Sequence, residues 1–210
     1  MRKIRKIPIQ SRSVAGSFFS ITNNKRIEFE SQLEKKIFLM LEYDENVDKY
    51  IEQPIRILGE INNKKVTYIP DVYIIYKNKK EVIGEIKYKS EIDKKDEKLI
   101  NKLETIQSYC LKNGYKFRVF TDENLNETLL KNIEFLRLHR IKPKNFDDIS
   151  EKIFWHLSRY GSKSIKDLLQ DLLLVKEKNE VLPVIWFLLY KKELRTNLLK
   201  ELSLDSTLFL

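Results

Sequence analysis

Cysteine is nearly absent. Cys110 is the only one among 210 residues, so the chain can form no internal disulfide and no cysteine-built metal cluster, which suits a reducing cytoplasm. Its spacing from Leu103 and Ile106 marks it as a small residue on the inner side of a helix. Histidine is equally scarce: His139 and His156 stand alone, with no His-Glu-X-X-His zinc motif. No glycine-rich phosphate loop and no nucleophile elbow occurs. Long apolar runs are missing too. The longest, Val181 to Tyr190, is about half of what a membrane span needs, and no apolar signal core follows the basic start Met-Arg-Lys-Ile-Arg-Lys-Ile-Pro. The expectation is a soluble cytoplasmic protein with no membrane partner.

What is present fits a globular chain of one domain or two small ones. Apolar residues make up 42% and aromatics 11%, enough to build a core. Forty Lys and Arg against 31 Asp and Glu give a net charge of +9. The excess favours a polyanionic partner, with nucleic acid the first candidate, although Lys-, Ile- and Asn-rich usage also follows from an AT-rich genome.

The most informative stretch is Tyr68 to Lys89. Two β-branched and aromatic runs, 71–76 and 81–87, flank a polar Lys77-Asn78-Lys79-Lys80 turn, which predicts a hairpin. Asp71 opens the first run after Pro70. Glu85 and Lys87 lie two apart in the second, so they leave the same face of their strand. Three charges on one side of an apolar sheet are costly to bury without a purpose. Paired carboxylates suit a hard divalent cation, and an adjacent lysine suits a water or a developing phosphate charge beside it. The competing explanation is a solvated strand face with carboxylates paired to lysines.

Along the chain, residues 1–24 carry Arg2, Lys3, Arg5, Lys6 and Arg12 among Ser, Gly and Asn. They read either as a basic arm lying along phosphates or as a solubilising tail. Phe29, Leu33, Ile37, Met40 and Leu41 predict a helix over 27–43. Glu30 and Glu34 lie one turn apart on its border, where either a metal-reaching or a solvated role is open. Residues 50–58 read as a loop entering a strand. Gln53 stands at its entrance, placed to hydrogen-bond a catalytic carboxylate, a phosphate or its own turn. Helices over 93–113, capped by Gly114, and 123–138 flank a strand over 115–121. The order predicts an α/β fold, a mixed sheet flanked by helices.

Taken together, Phe29-Glu30-Ser31-Gln32-Leu33-Glu34, Leu41-Glu42-Tyr43-Asp44, Glu52-Gln53-Pro54, Ile69-Pro70-Asp71 and Gly84-Glu85-Ile86-Lys87 resemble the TnsA endonuclease subunit of heteromeric transposases over residues 15–120. These subunits are restriction-endonuclease-like nucleases of the PD-(D/E)XK type. The resemblance implies a Mg²⁺-dependent DNA endonuclease, with Mn²⁺ able to substitute, that cuts one strand of double-stranded DNA at transposon ends in a bacterial cytoplasm. It implies a DDE-type transposase partner (TnsB-like) and an AAA+ regulator (TnsC-like). Carried over by residue, Glu34, Asp71 and Glu85 would be the acidic metal-site residues, the carbonyl of Ile86 a further ligand and Lys87 the active-site lysine, with Gln53 in support. The alternatives are a stand-alone restriction or repair nuclease of this fold, or a non-catalytic basic DNA-binding module. Residues 25–142 would form the endonuclease domain. Residues 145–210 would form a small winged-helix-like domain of three helices (146–160, 165–173 and 180–190) with wing strands near 193–196 and 207–210. Because the third helix is almost wholly apolar, packing or a protein partner is expected there in place of base readout.

Overall fold

A computed structural model describes residues 15–61, 64–172 and 178–210. Arg2, Lys3, Arg5, Lys6 and Arg12 of the expected basic arm lie outside them. The chain divides into two compact units, one ending at Leu125 and the other starting at Asn126.

The first unit opens on a hairpin where the sequence suggested an arm and the start of a helix. β1 (Gly16–Ser20) pairs antiparallel with β2 (Lys25–Phe29). The reason is a period-two pattern in β2: Ile27 and Phe29 are buried while Arg26 and Glu28 are not. Helix α1 (Gln32–Tyr43) therefore starts later than its apolar spacing suggested. The Ser31 hydroxyl caps it by accepting from the Glu34 N–H at 3.1 Å. Its inner face buries Leu33, Ile37, Phe38 and Leu41, together with one carboxylate, Glu42. That carboxylate accepts from the Ser20 hydroxyl, the N–H groups of Ile21 and Thr22 and the Tyr50 hydroxyl, at 2.5 to 2.9 Å. It ties the hairpin turn to the helix and to the next strand.

The central sheet has the order β3-β6-β7-β8, built from β3 (Val47–Glu52), β6 (Val72–Tyr76), β7 (Glu81–Ile86) and β8 (Lys116–Phe120). β3, β6 and β7 pair antiparallel in turn, and β8 joins β7 in parallel, so the sheet is mixed as expected. β4 (Ile57–Ile61) and β5 (Lys64–Tyr68) form a separate antiparallel pair. After the short α2 (Lys89–Asp93), α3 (Glu97–Asn113) makes the crossover between the parallel strands. It begins at the Asp96 cap and ends at Gly114, whose φ of 75° is the left-handed conformation that glycine takes without strain. Ile106 and Cys110 from α3 pack on Ile51, Ile57, Tyr73 and Ile83, forming the core on one side of the sheet.

The second unit contains α4 (Glu127–Leu138), α5 (Phe146–Tyr160), α6 (Ile165–Leu172) and α7 (Lys178–Lys191). Two short strands, β9 (Lys163–Ser164) and β10 (Thr207–Leu208), pair antiparallel, and Arg195 bridges Phe209. The sequence placed the boundary after residue 142, with α4 in the endonuclease domain. The structure moves it to 125/126. α4 packs within the second unit, burying Leu130, Ile133 and Leu136. Its Asn132 amide donates to the carbonyls of Leu198 and Lys200 at 2.8 and 2.7 Å and accepts from the Leu202 N–H at 3.2 Å. α7 is buried along most of its length, with Val181, Val184, Ile185, Leu188 and Leu189 all inside. Among the described residues no helix is long and apolar enough to cross a membrane.

Candidate active site

Four chain segments meet at one end of the central sheet, and backbone bonds hold them in register. The Gln53 N–H donates to the Asp71 carbonyl at 3.0 Å, the Asp71 N–H to the Gly84 carbonyl at 3.1 Å and the Lys87 N–H to the Phe120 carbonyl at 3.0 Å. Each bond extends a strand ladder by one step past its regular end. Asp71 enters β6 here, Glu85 to Lys87 leave β7 and Gln53 follows β3. Antiparallel pairing is what brings the start of β6 beside the ends of its two neighbours.

Asp71, Glu85, Ile86 and Lys87 come together as the sequence predicts. Lys87 Nζ lies 3.1 Å from Glu85 Oε1, 3.8 Å from Asp71 Oδ2 and 3.1 Å from the Ile86 carbonyl oxygen. One ammonium thus stands among three oxygens, each from a residue expected to face a cation. Asp71 is further fixed by the Ile86 N–H, which donates to Oδ2 at 2.7 Å. Glu85 is completely buried, and its Oε2 has no hydrogen-bond partner among the described residues. An unpaired buried carboxylate oxygen costs free energy unless a cation or donor meets it. Burial, then the neighbouring Glu85, pushes the Asp71 carboxyl well above the ordinary carboxylate range, against the pull of Lys87 and Lys102. Burial alone would lower the pKa of Lys87, but Asp71 and Glu85 outweigh it and hold the ammonium charged.

Glu34 sits differently. Its carboxylate accepts from the Glu30 N–H at 2.8 Å and from the Ser31 hydroxyl at 3.2 Å, closing the start of α1 in the manner of a capping box. Burial raises it to about 7, and the Asp71 charge adds to the rise. It therefore feels Asp71 but is bound to its own helix end. Among the described residues no three His, Cys, Asp or Glu side chains stand close enough to share an ion. Gln53 adopts φ 45°, a strained left-handed conformation for a residue other than glycine. Its amide donates to Glu30 Oε1 at 2.9 Å, while its Oε1 is buried with no hydrogen-bond partner among the described residues. The carboxylate that its side chain meets is that of Glu30, not one of the expected metal-site acids Glu34, Asp71 and Glu85.

One member was missed in the sequence. Lys102 of α3 contacts Glu85 Oε1 directly. The signal was available: Lys102 lies four residues before Ile106, which is fully buried, on the same helical face. A charge on that inward stripe needs a partner.

The donor set fits a hard divalent cation. It offers two carboxylates and a main-chain carbonyl around a point that already holds positive charge, with one buried carboxylate oxygen still unpaired. The mixed sheet with flanking helices fits a restriction-endonuclease-like fold. No curated protein matches the chain. Residues 44–122 match the Tn7 family described as TnsA-like endonuclease N terminal, a stretch that takes in Gln53, Asp71, Glu85, Ile86, Lys87 and Lys102 and leaves Glu34 outside. That match supports a TnsA-type nuclease of the restriction-endonuclease-like fold.

Proposed function

We propose that the chain is the divalent-metal-dependent DNA endonuclease subunit of a Tn7-type transposase, hydrolysing one strand at each transposon end. The observation that carries this reading is the position of Lys87 Nζ among Asp71, Glu85 and the Ile86 carbonyl. Those three groups, joined by Glu34 once it leaves its helix cap, would hold Mg²⁺, or Mn²⁺ in its place. A bound divalent cation supplies charge neutralisation at the scissile phosphate and eases deprotonation of water. Lys87 then keeps its positive charge beside the reacting phosphate and stabilises the charge that develops there. Gln53 positions the start of β6 through its backbone bond to Asp71 and steadies Glu30 through its side chain.

A TnsA-like domain implies DNA and a Tn7-type transposase partner. The specific partners of this reading are a DDE-type (TnsB-like) subunit and an AAA+ (TnsC-like) regulator, with assembly in the bacterial cytoplasm. The second unit serves as a winged-helix-like module: α5, α6 and α7 of its four helices, a short strand pair and the Arg195–Phe209 bridge support that description. The buried α7 leaves no polar face for reading bases, which favours a protein partner.

Calorimetry with Mn²⁺ on the wild type, Asp71→Asn and Glu85→Gln tests the site without any partner. Wild-type binding that both variants lose, with circular dichroism unchanged, is the expected result. Variants that bind Mn²⁺ as the wild type does would overturn the assignment. Lys87→Ala should keep Mn²⁺ binding and lose strand cleavage by the reconstituted transposase; unchanged cleavage would count against the role given to Lys87.

A further inference from the structure

Lys102 is the charged group at the site to which no motif gives a role. Its ammonium contacts Glu85 Oε1, the same oxygen that Lys87 Nζ approaches at 3.1 Å. Two ammoniums converge on one carboxylate oxygen, where one would compensate the charge and two repel each other. The Glu85 side chain is 0% exposed while Lys102 keeps 20% and Lys87 26%, so both ammoniums have a path to solvent that the carboxylate lacks. Lys102 reaches Glu85 from α3, at the end of a flexible four-carbon stem.

We propose that Lys102 is a second substrate-contact lysine, held on Glu85 in the free protein, which turns to a non-bridging oxygen of a DNA phosphate when a divalent cation is bound at Asp71 and Glu85. The inference rests on the metal-nuclease reading above. Charge supports it. When ionised, Asp71 and Glu85 carry −2, which the +2 of Lys87 and Lys102 balances without any ion. With a divalent cation bound and Glu34 ionised the total is −3 + 2 + 2, or +1, which matches the single negative charge of one phosphodiester. A lysine released from Glu85 is the group free to meet it. The competing role, in which Lys102 only holds Glu85 in place, makes the opposite prediction for the ion: losing a holder weakens binding, whereas losing a competing positive charge does not.

The test uses the full chain as wild type, Lys102→Met and Lys102→Arg, with two readouts that need no cleavage. The first is Mn²⁺ affinity by calorimetry without DNA. The second is the salt dependence of binding to a fluorescein-labelled duplex, with and without Ca²⁺ as a probe ion. Lys102→Met is expected to bind Mn²⁺ at least as tightly as the wild type. Its salt slope should be smaller than the wild-type slope by about 1 in Ca²⁺ and equal to it without Ca²⁺, because one phosphate contact forms only with the ion bound. Lys102→Arg should keep the wild-type slope in Ca²⁺. A tenfold loss of Mn²⁺ affinity in Lys102→Met, or slopes that match the wild type in both conditions, would overturn this inference alone. A wild type that binds no Mn²⁺ would overturn the metal-nuclease reading and this inference with it.

Discussion

Gly84 precedes the strand end that carries Glu85 and Lys87, and its lack of a side chain is enforced by packing on both sides. It pairs with Val72 on β6 and Arg118 on β8. A Cβ built there would lie 2.7 Å from Val72 Cγ1, 2.7 Å from Phe120 Cε2 and 3.0 Å from Phe120 Cδ2. Val72 is 0% exposed and stiff at χ1, and Phe120 is 5% exposed. Neither neighbour can withdraw as the end of a long flexible chain would. Overpacking of this kind costs about 1–3 kcal/mol, and close contacts on two sides place Gly84→Ala near the upper end, at about 3 kcal/mol. With a urea m-value of about 1–3 kcal/mol/M, the unfolding midpoint should fall by about 1 M or more.

The choice of probe matters, because both tryptophans, Trp155 and Trp186, belong to the second unit. Tryptophan emission would follow the wrong half of the chain. Hydrogen exchange at the amides of Ile83 to Ile86 follows the sheet itself. The Gly84 carbonyl also accepts from Asp71, so the displaced strand should weaken Mn²⁺ binding as well. Phe120→Leu opens space on one side, and the double variant should recover about 1 kcal/mol relative to the sum of the single changes. A Gly84→Ala protein within about 0.5 kcal/mol of the wild type, below what even mild overpacking costs, would refute the packing argument.

Three further changes test other parts of the first unit and its boundary. Glu42→Gln puts an amide where four donors point inward; it should cost about 3 kcal/mol, while Tyr50→Phe should cost about 1–3 kcal/mol, both read by chemical denaturation. Glu34 rises from 4.5 to about 7 on folding, so between those values the native state holds a proton that the unfolded chain has released. Metal-free stability should therefore decline as pH rises from about 4.5 to about 7, and Glu34→Gln should flatten part of that slope; an unchanged profile would deny Glu34 its burial. A chain cut after residue 125 should melt cooperatively, whereas one cut after residue 142 carries Leu130, Ile133 and Leu136 of α4 without the elements that bury them and should bind a hydrophobic dye.

The β6–β7 hairpin was legible because its strands are β-branched and aromatic runs around a polar turn, and the observed spans, Val72–Tyr76 and Glu81–Ile86, fall within the two runs. The β1–β2 hairpin was not, because Phe29 satisfies two patterns at once: it alternates with Ile27 and also lies four residues before Leu33. The contest was settled by Ser31, whose hydroxyl caps α1 and stops the helix from extending back. The same competition decides the site. Ser31-Gln32-Leu33-Glu34 is a capping-box spacing as well as part of the stretch that resembles the TnsA helix motif, and in the free protein the cap holds the carboxylate. Asp71, Glu85 and Lys87 are placed by strand register instead, through the backbone bonds of Gln53, Gly84 and Phe120. A motif residue set by strand register could thus be placed from sequence. One with a rival use nearby needs the ion, or its loss from the cap, to reveal which role prevails.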